Sequence, residues 1–251
     1  MQDGFTWQPT RAYIDDAELT RFVETLGCGD ENDLLQRAAA DPDWFWDSAI
    51  RALDIRFDQP YAQVRDISDG LPNARWCVGG TMNFCDNVLD RHRGTEVWEK
   101  PAIIWHGEND SQRTLTYAEM DRQVRELAAG LLALGVGQGD AVGIYMPVLP
   151  ETPVAFLAVA RIGAIISPLF SGFGAEAIVK RLNDAEAVAV ITADQAVRRG
   201  STIAMKPVID SAASDVPTLR HTIVLRTGDG DVVMNSGRDV WWHDLDVTSA
   251  D

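Results

Sequence analysis

The chemistry that this sequence offers is concentrated in two short stretches, one aromatic and glycine-containing, the other with paired arginines. The first, SPLFSGFGAE, spans residues 167–176 and places Phe170 next to Ser171 and Gly172. An aromatic ring offers a flat face on which a base can stack, and small residues let a ligand approach the backbone. The same residues also suit a tight strand-to-helix turn in which Gly172 has a positive φ. From spacing alone the turn is the favoured interpretation.

The second stretch, TADQAVRRG, spans residues 192–200 and ends with Arg198 and Arg199 before Gly200. Guanidinium groups bind phosphate through charge-assisted hydrogen bonds, although two solvated surface arginines are the simpler alternative. Both stretches follow predicted strands. Since the carboxyl ends of parallel strands meet at one edge of a sheet, we expect the two loops to open on the same side. An aromatic ring and an arginine at one edge would suit a nucleotide with its phosphates.

Other familiar catalytic and cofactor patterns are missing from the sequence. It contains no G-x-x-x-x-G-K-[ST] motif, and GVGQGD at residues 135–140 follows a helix and precedes a strand, the reverse of a dinucleotide-binding loop. The four histidines show neither metal-ligand spacing nor a Ser–His–Asp or Cys–His arrangement. We therefore assign no catalytic residue and no metal ligand from spacing.

Composition restricts the classes of partner. The chain has 251 residues and a formal net charge of −16, which argues against a nucleic acid or an anionic membrane as partner but permits a small anionic ligand. Three cysteines without framework spacing fit a reducing compartment. No signal peptide is visible, and the longest apolar stretch, residues 154–160, is too short to span a bilayer. These features predict a cytoplasmic protein.

The elements that must position the two loops begin near residue 101, where strands and helices start to alternate. Strands are predicted at residues 102–106, 113–115, 141–146, 164–170, 187–192 and 222–226. Helices are predicted at 116–135, 151–162, 175–183 and 207–213, and the TYAE sequence at 116–119 is typical of a capping box. This alternation predicts an α/β fold: a mostly parallel sheet with helices on both faces, preceded by a mainly helical N-terminal extension.

As a set, the motifs resemble the AMP-forming acyl-CoA synthetases of the adenylate-forming superfamily. The resemblance runs from about residue 30 to about residue 215. It includes DPDWFWD, GGTMNFCDNVLDRH and the stretch from RTLTYAEMD to ITADQAVRRG. The first two fit the acetyl-CoA synthetase-like branch. The resemblance implies an N-terminal extension at 1–100 and the first part of an AMP-binding synthetase domain at 101–251.

The resemblance also implies what the two loops bind. In such enzymes the aromatic at the position of Phe170 stacks on the adenine of CoA, the backbone at Ser171 and Gly172 lines that site, and Arg198 pairs with the CoA phosphates. Two positions depart from the usual pattern. Ser171 stands where the family often has glycine, and Ser201 stands where it often has a second arginine.

Family members join a carboxylate, ATP and CoA into acyl-CoA, AMP and pyrophosphate through an acyl-adenylate, and the complete enzyme uses Mg²⁺. Their Ser/Thr/Gly-rich phosphate loop, acyl pocket and C-terminal catalytic lysine have no counterpart in these residues. The sequence is therefore expected to be an N-terminal portion that is inactive as an isolated chain. Two alternatives remain open: a non-catalytic module that binds CoA or a partner, and one half of a split ligase. An incomplete sheet would also favour self-association through its exposed edge.

Overall fold

The computed structural model describes residues 6–108 and 110–248. The chain divides into two compact units, Met1–Met82 and Asn83–Asp251. The boundary expected from the family resemblance, between residues 100 and 101, concerns family segments and stays a prediction beside this structural division.

The first unit is mainly helical, as the sequence predicts. Its helices and strands are α1 (Arg11–Asp15), α2 (Glu18–Thr25), α3 (Glu31–Ala40), α4 (Pro42–Ala52), β1 (Gln63–Asp66) and β2 (Arg75–Val78). Strands β1 and β2 form an antiparallel pair. Helix α4 begins where its sequence indicates, because the side chain of Asp41 accepts a hydrogen bond from the Trp44 N–H at 3.0 Å and Pro42 occupies the first turn. A small core forms around Val23 and Leu34.

The second unit contains the alternating elements. These are α5 (Phe84–Val88), β3 (Pro101–His106), β4 (Gln112–Thr116), α6 (Tyr117–Ala133), β5 (Ala141–Tyr145), α7 (Glu151–Arg161), β6 (Ile165–Pro168), α8 (Ala175–Asp184), β7 (Ala189–Ala193), β8 (Gln195–Arg198), β9 (Ser201–Ala204), α9 (Lys206–Ala213), β10 (His221–Leu225) and β11 (Asp239–Trp241). The capping box before α6 is confirmed: Thr116 and Glu119 exchange side-chain to backbone hydrogen bonds.

Five parallel strands form the central sheet in the order β11-β10-β7-β5-β6. Strand β5 shows why helices must pack on both faces of this sheet. Its residues are all buried, and alternate side chains belong to different cores. Val142 packs with α6 and α7 on one face, whereas Tyr145 packs with α8 and α9 on the other. The predicted α/β fold, with a parallel sheet flanked by helices, is therefore confirmed.

Element boundaries and two strand pairs differ from the sequence expectation. Strand β6 is shorter than the predicted 164–170, because the chain turns after Pro168 and leaves Phe170 in the loop. The segment after β7, which has no predicted secondary structure, forms the antiparallel hairpin β8–β9. Strand β11 was also not predicted.

None of the helices in the described parts of the chain is both long enough and apolar enough to cross a lipid bilayer.

Candidate functional site

The two loops singled out by sequence lie at the same edge of the central sheet. The turn with Phe170 follows β6, and the β8–β9 hairpin with Arg198 follows β7. Both strands pair in parallel with β5, one on each side of it, so their carboxyl ends point the same way. This is the edge where open α/β sheets place their ligands.

The structure brings Phe170 and Arg198 together. The guanidinium carbon of Arg198 lies 5.8 Å from the centroid of the Phe170 ring, within the range of a cation–π contact. The ring also meets Phe173 edge to face, with centroids 5.6 Å apart and planes at 77°. Phe170 nevertheless remains 58% exposed. A large part of the ring is therefore free to contact a ligand.

Glycine is required at position 172 because the Phe170 and Arg198 side chains pack closely against it, and not because its backbone angles are unusual. It is absent from the glycines with positive φ, so the positive φ expected in the alternative interpretation is wrong. The turn itself is present, because the Phe173 N–H donates to the Phe170 carbonyl at 2.9 Å. A Cβ at position 172 would lie 2.6 Å from Cε1 of Phe170 and 3.2 Å from Nη1 of Arg198. Any side chain here would push the ring or the guanidinium away.

Tyr145, at the end of β5, fixes the backbone of this turn and was missed by sequence reasoning. Its hydroxyl lies 3.1 Å from the carbonyl oxygens of both Ser171 and Phe173 and donates its proton between them. The side chain is 2% exposed, and burial raises the pKa of its phenol. The only sequence signal for this backbone contact was a tyrosine, whose hydroxyl can donate a hydrogen bond, at the end of an apolar strand.

The start of the β8–β9 hairpin is held by Asp194, which was also not predicted. Its side chain is buried, at 4% exposure, and its carboxylate accepts hydrogen bonds from three backbone N–H groups. These belong to Gln195 at 2.7 Å, Thr227 at 2.8 Å and Gly228 at 3.2 Å. The hairpin is thereby tied to the segment that follows β10.

Arg198 and Ser201 close the hairpin as its last strand pair, with Arg199 and Gly200 in the turn between them. Both turn residues have positive φ, 52° and 72°. Arg199, considered as a second phosphate contact, is thus a turn residue. Ser201 lies directly across from Arg198, so a hydroxyl stands opposite the arginine.

The described residues at this edge of the sheet suit recognition of a base and a phosphate. The site offers an exposed ring face for stacking, space beside Gly172 and one guanidinium, which are groups that can contact a nucleotide. Burial raises the pKa of the Cys85 thiol to about 11, which keeps it protonated at neutral pH. Within residues 6–108 and 110–248, no group of three or more His, Cys, Asp or Glu side chains is placed to hold a metal ion.

Comparisons with known families agree with this fold. The family model described as AMP-binding enzyme matches residues 90–245, and the chain belongs to that family. The model described as acetyl-coenzyme A synthetase N-terminus matches residues 31–88, which places the similarity within the acetyl-CoA synthetase-like branch.

Individual relatives carry related names. Acetyl-coenzyme A synthetase of Rhodopirellula baltica is 45% identical over 219 residues, which cover 84% of this chain and 32% of that protein. The Escherichia coli K12 acetyl-coenzyme A synthetase is 40% identical over 223 residues, covering 87% of this chain and 34% of that protein. The solved acetoacetyl-CoA synthetase from Streptomyces lividans superposes with a TM-score of 0.87 at 31% identity, covering 95% of this chain and 37% of the other. The chain therefore spans about a third of the length of these relatives.

Proposed function

We propose that this chain is the N-terminal part of a short-chain acyl-CoA synthetase and that Phe170, Ser171, Gly172 and Arg198 hold the nucleotide end of CoA. The observation that carries the proposal is the placement of the Arg198 guanidinium over the exposed Phe170 ring, beside a glycine that leaves room for both. In the complete enzyme the reaction is carboxylate, ATP and CoA to acyl-CoA, AMP and pyrophosphate.

Each residue has a separate task in this proposal. The adenine stacks on the free face of Phe170, a contact worth roughly 1–3 kcal/mol per base in related systems. The absence of side-chain bulk at position 172 keeps the ring and the guanidinium in place. Arg198 pairs with a CoA phosphate by charge-assisted hydrogen bonds. With Ser201 in place of a second arginine, one such contact is lost, so we expect weaker binding than in a site with two arginines.

The isolated chain is proposed to be inactive. Adenylate formation needs oriented cationic donors and Mg²⁺ around the ATP phosphates. From the resemblance, we expect the groups for ATP, the acyl pocket and the catalytic lysine in the part of the relatives that this chain does not span. Residues 1–100 would then form the N-terminal extension and 101–251 the first part of the synthetase domain. The three free cysteines support a cytoplasmic location within the same proposal.

Two other functions use the same site. The chain would act as one half of a split ligase if a second polypeptide supplied the remaining two thirds, which the partial coverage of the relatives permits. It would act as a non-catalytic module if it bound CoA, or a protein partner, without turnover. Pyrophosphate release with acetate, ATP and CoA separates these functions, and release by this chain alone would refute the proposed inactivity.

Calorimetry with CoA tests the proposed site directly. We expect Arg198→Ala to weaken CoA binding by about tenfold, because one charge-assisted contact is worth roughly 1.5–3 kcal/mol before solvent screening reduces it. Arg220→Ala is the matched control, because Arg220 immediately precedes β10 and so lies at the opposite edge of the sheet. No heat with the wild-type chain, or equal affinities for wild type and Arg198→Ala, would overturn the proposed site.

A further inference from the structure

The hairpin turn that presents Arg198 has little support within its own hairpin. All four residues of β9 are exposed, and β8 ends on two exposed residues. Arg199 adopts a φ of 52°, a left-handed conformation that is costly for a residue with a side chain. Some contact from outside the hairpin must stabilise this turn.

Glu108, in the turn between β3 and β4, supplies that contact. Its Oε2 accepts a hydrogen bond from the Gly200 N–H at 3.0 Å, across 92 positions of sequence. The hydrogen bond from the Gly200 N–H is the largest of the contributions that lower the pKa of Glu108. The Glu108 carboxylate therefore holds Gly200, one of the two left-handed residues of the turn, two positions after Arg198.

The hairpin that carries Glu108 is itself anchored to the body of the second unit. On β3, Trp105 Nε1 donates to the carbonyl of Val148 at 2.8 Å, in the loop that follows β5. On β4, Arg113 forms an ion pair with Glu151 at the start of α7. A continuous path of contacts thus runs from β5 and α7 through Glu108 to the β8–β9 turn.

We infer that Glu108 is a positioning residue that holds the β8–β9 turn so that the Arg198 guanidinium lies over the Phe170 ring. It acts through the backbone of Gly200 and does not touch the ligand. Its effect on ligand binding rests on the proposed function, whereas its effect on Arg198 does not.

A measurement without ligand tests the positioning role. We compare Glu108→Gln and Glu108→Ala with Asp110→Asn, which removes a charge from the same turn but keeps the carboxylate that accepts from Gly200. By NMR, amide hydrogen exchange at Gly200 should be slowest in the wild type, faster in the Gln variant and fastest in the Ala variant. The rate in the Ala variant should be roughly tenfold that of the wild type. The Arg198 side-chain protons should lose their ring-current shift from Phe170 in the same order. Unchanged exchange and unchanged Arg198 shifts in Glu108→Ala would overturn the inference.

CoA titration then tests the consequence. We expect Glu108→Ala to weaken CoA binding by about 3- to 10-fold in the wild-type background. The same substitution should have almost no effect in the Arg198→Ala background, because Glu108 affects binding only through the position of Arg198. An equal loss in both backgrounds would show that Glu108 does not act through Arg198. If the wild-type chain fails to bind CoA, the proposed function fails, and the ligand-free measurement still decides the role of Glu108.

Discussion

At the scale of single residues, Gly172 shows how a missing side chain contributes to a site. The residue is compatible with ordinary backbone angles, so a steric requirement from its neighbours, not its φ, explains glycine at this position. Phe170 is more than half exposed and would be free to swing away from an added methyl group.

Gly172→Ala is therefore expected to weaken CoA binding by about tenfold while changing the free energy of unfolding little, because the displaced ring loses its stacking position at small cost to the fold. Calorimetry and urea denaturation measure the two effects separately. Gly137→Ala is the matched control, since no atom lies within 4 Å of a Cβ built there. A wild-type CoA affinity in Gly172→Ala would show that CoA binding does not need the close packing of Phe170 and Arg198 against residue 172.

Tyr145 is a second residue whose contribution to this turn can be tested by a single substitution. Tyr145→Phe removes the hydroxyl but keeps the buried ring, leaving the Ser171 and Phe173 carbonyls without that donor. We expect the free energy of unfolding to fall by about 1–2 kcal/mol. Urea denaturation checks this, with the exposed Tyr13→Phe as the control. A variant as stable as wild type, with unchanged CoA affinity, would show that the hydroxyl does not support the turn.

The sequence indicates the residues of the proposed site, and it does not indicate the residues that hold their loops in place. Phe170 and Arg198 can be found because their side chains carry the chemistry and both follow apolar strands. Tyr145, Asp194 and Glu108 act through hydrogen bonds to backbone groups that are distant in sequence, and no local spacing predicts such partners.

At the scale of elements, the fully buried strands are predictable, whereas the exposed hairpin β8–β9 is not. Strands β5 and β7 are almost entirely apolar and every residue is buried, which is typical of central parallel strands. The β8–β9 hairpin consists of two four-residue strands that are mostly exposed, so it carries no alternating pattern. The turn that presents Arg198 therefore lay in a segment without a predicted structure.

The edge strand β11 takes part in a largely buried ionic cluster. The Lys206 side chain, 1% exposed, lies 2.7 Å from carboxylate oxygens of both Asp210 and Asp239. Arg238 also contacts both carboxylates. Since Lys206 and Asp210 belong to α9 and Asp239 opens β11, the cluster joins the helix to the strand.

This cluster predicts a pH dependence. Burial by itself would raise the pKa of Asp239, but hydrogen bonds from Arg238 and Lys206 outweigh it and lower the pKa from 3.8 to about 2. A depressed carboxyl pKa stabilises the fold above the unfolded value, and that stabilisation is lost as pH falls from about 4 towards about 2.

Asp239→Asn should lower the free energy of unfolding at pH 7 by about 3 kcal/mol, because the buried Lys206 ammonium would lose its fully buried carboxylate partner and keep only Asp210. Urea denaturation between pH 7 and pH 2 should also show a flatter profile than in the wild type. Asp231→Asn, at an exposed position, provides the control. An unchanged profile in Asp239→Asn would show that the cluster does not stabilise β11.

At the scale of the whole molecule, the central sheet ends on one side at the edge strand β6. In the described part of the chain, β6 pairs with β5 and with no other strand. Its first residue, Ile165, is 56% exposed. An apolar edge strand with free backbone groups promotes association between chains.

We therefore expect the chain to self-associate and Ile165→Lys to reduce the association, because a charge at the edge opposes strand pairing. Sedimentation velocity over a range of concentrations measures this, with Val233→Lys as the control at an exposed apolar position outside the strands of the sheet. A wild-type chain that stays strictly monomeric at high concentration would contradict the prediction.

The central claim, that the edge after β6 and β7 holds the nucleotide end of CoA, is tested most directly by a crystal structure of this chain with CoA. We predict the adenine stacked on the free face of Phe170, at roughly the 3.5–4 Å separation of close-packed carbon atoms. A phosphate should be hydrogen-bonded to Arg198, at about 2.7–2.9 Å between heavy atoms. Ordered CoA bound elsewhere, with the Phe170 ring still exposed, would contradict the claim.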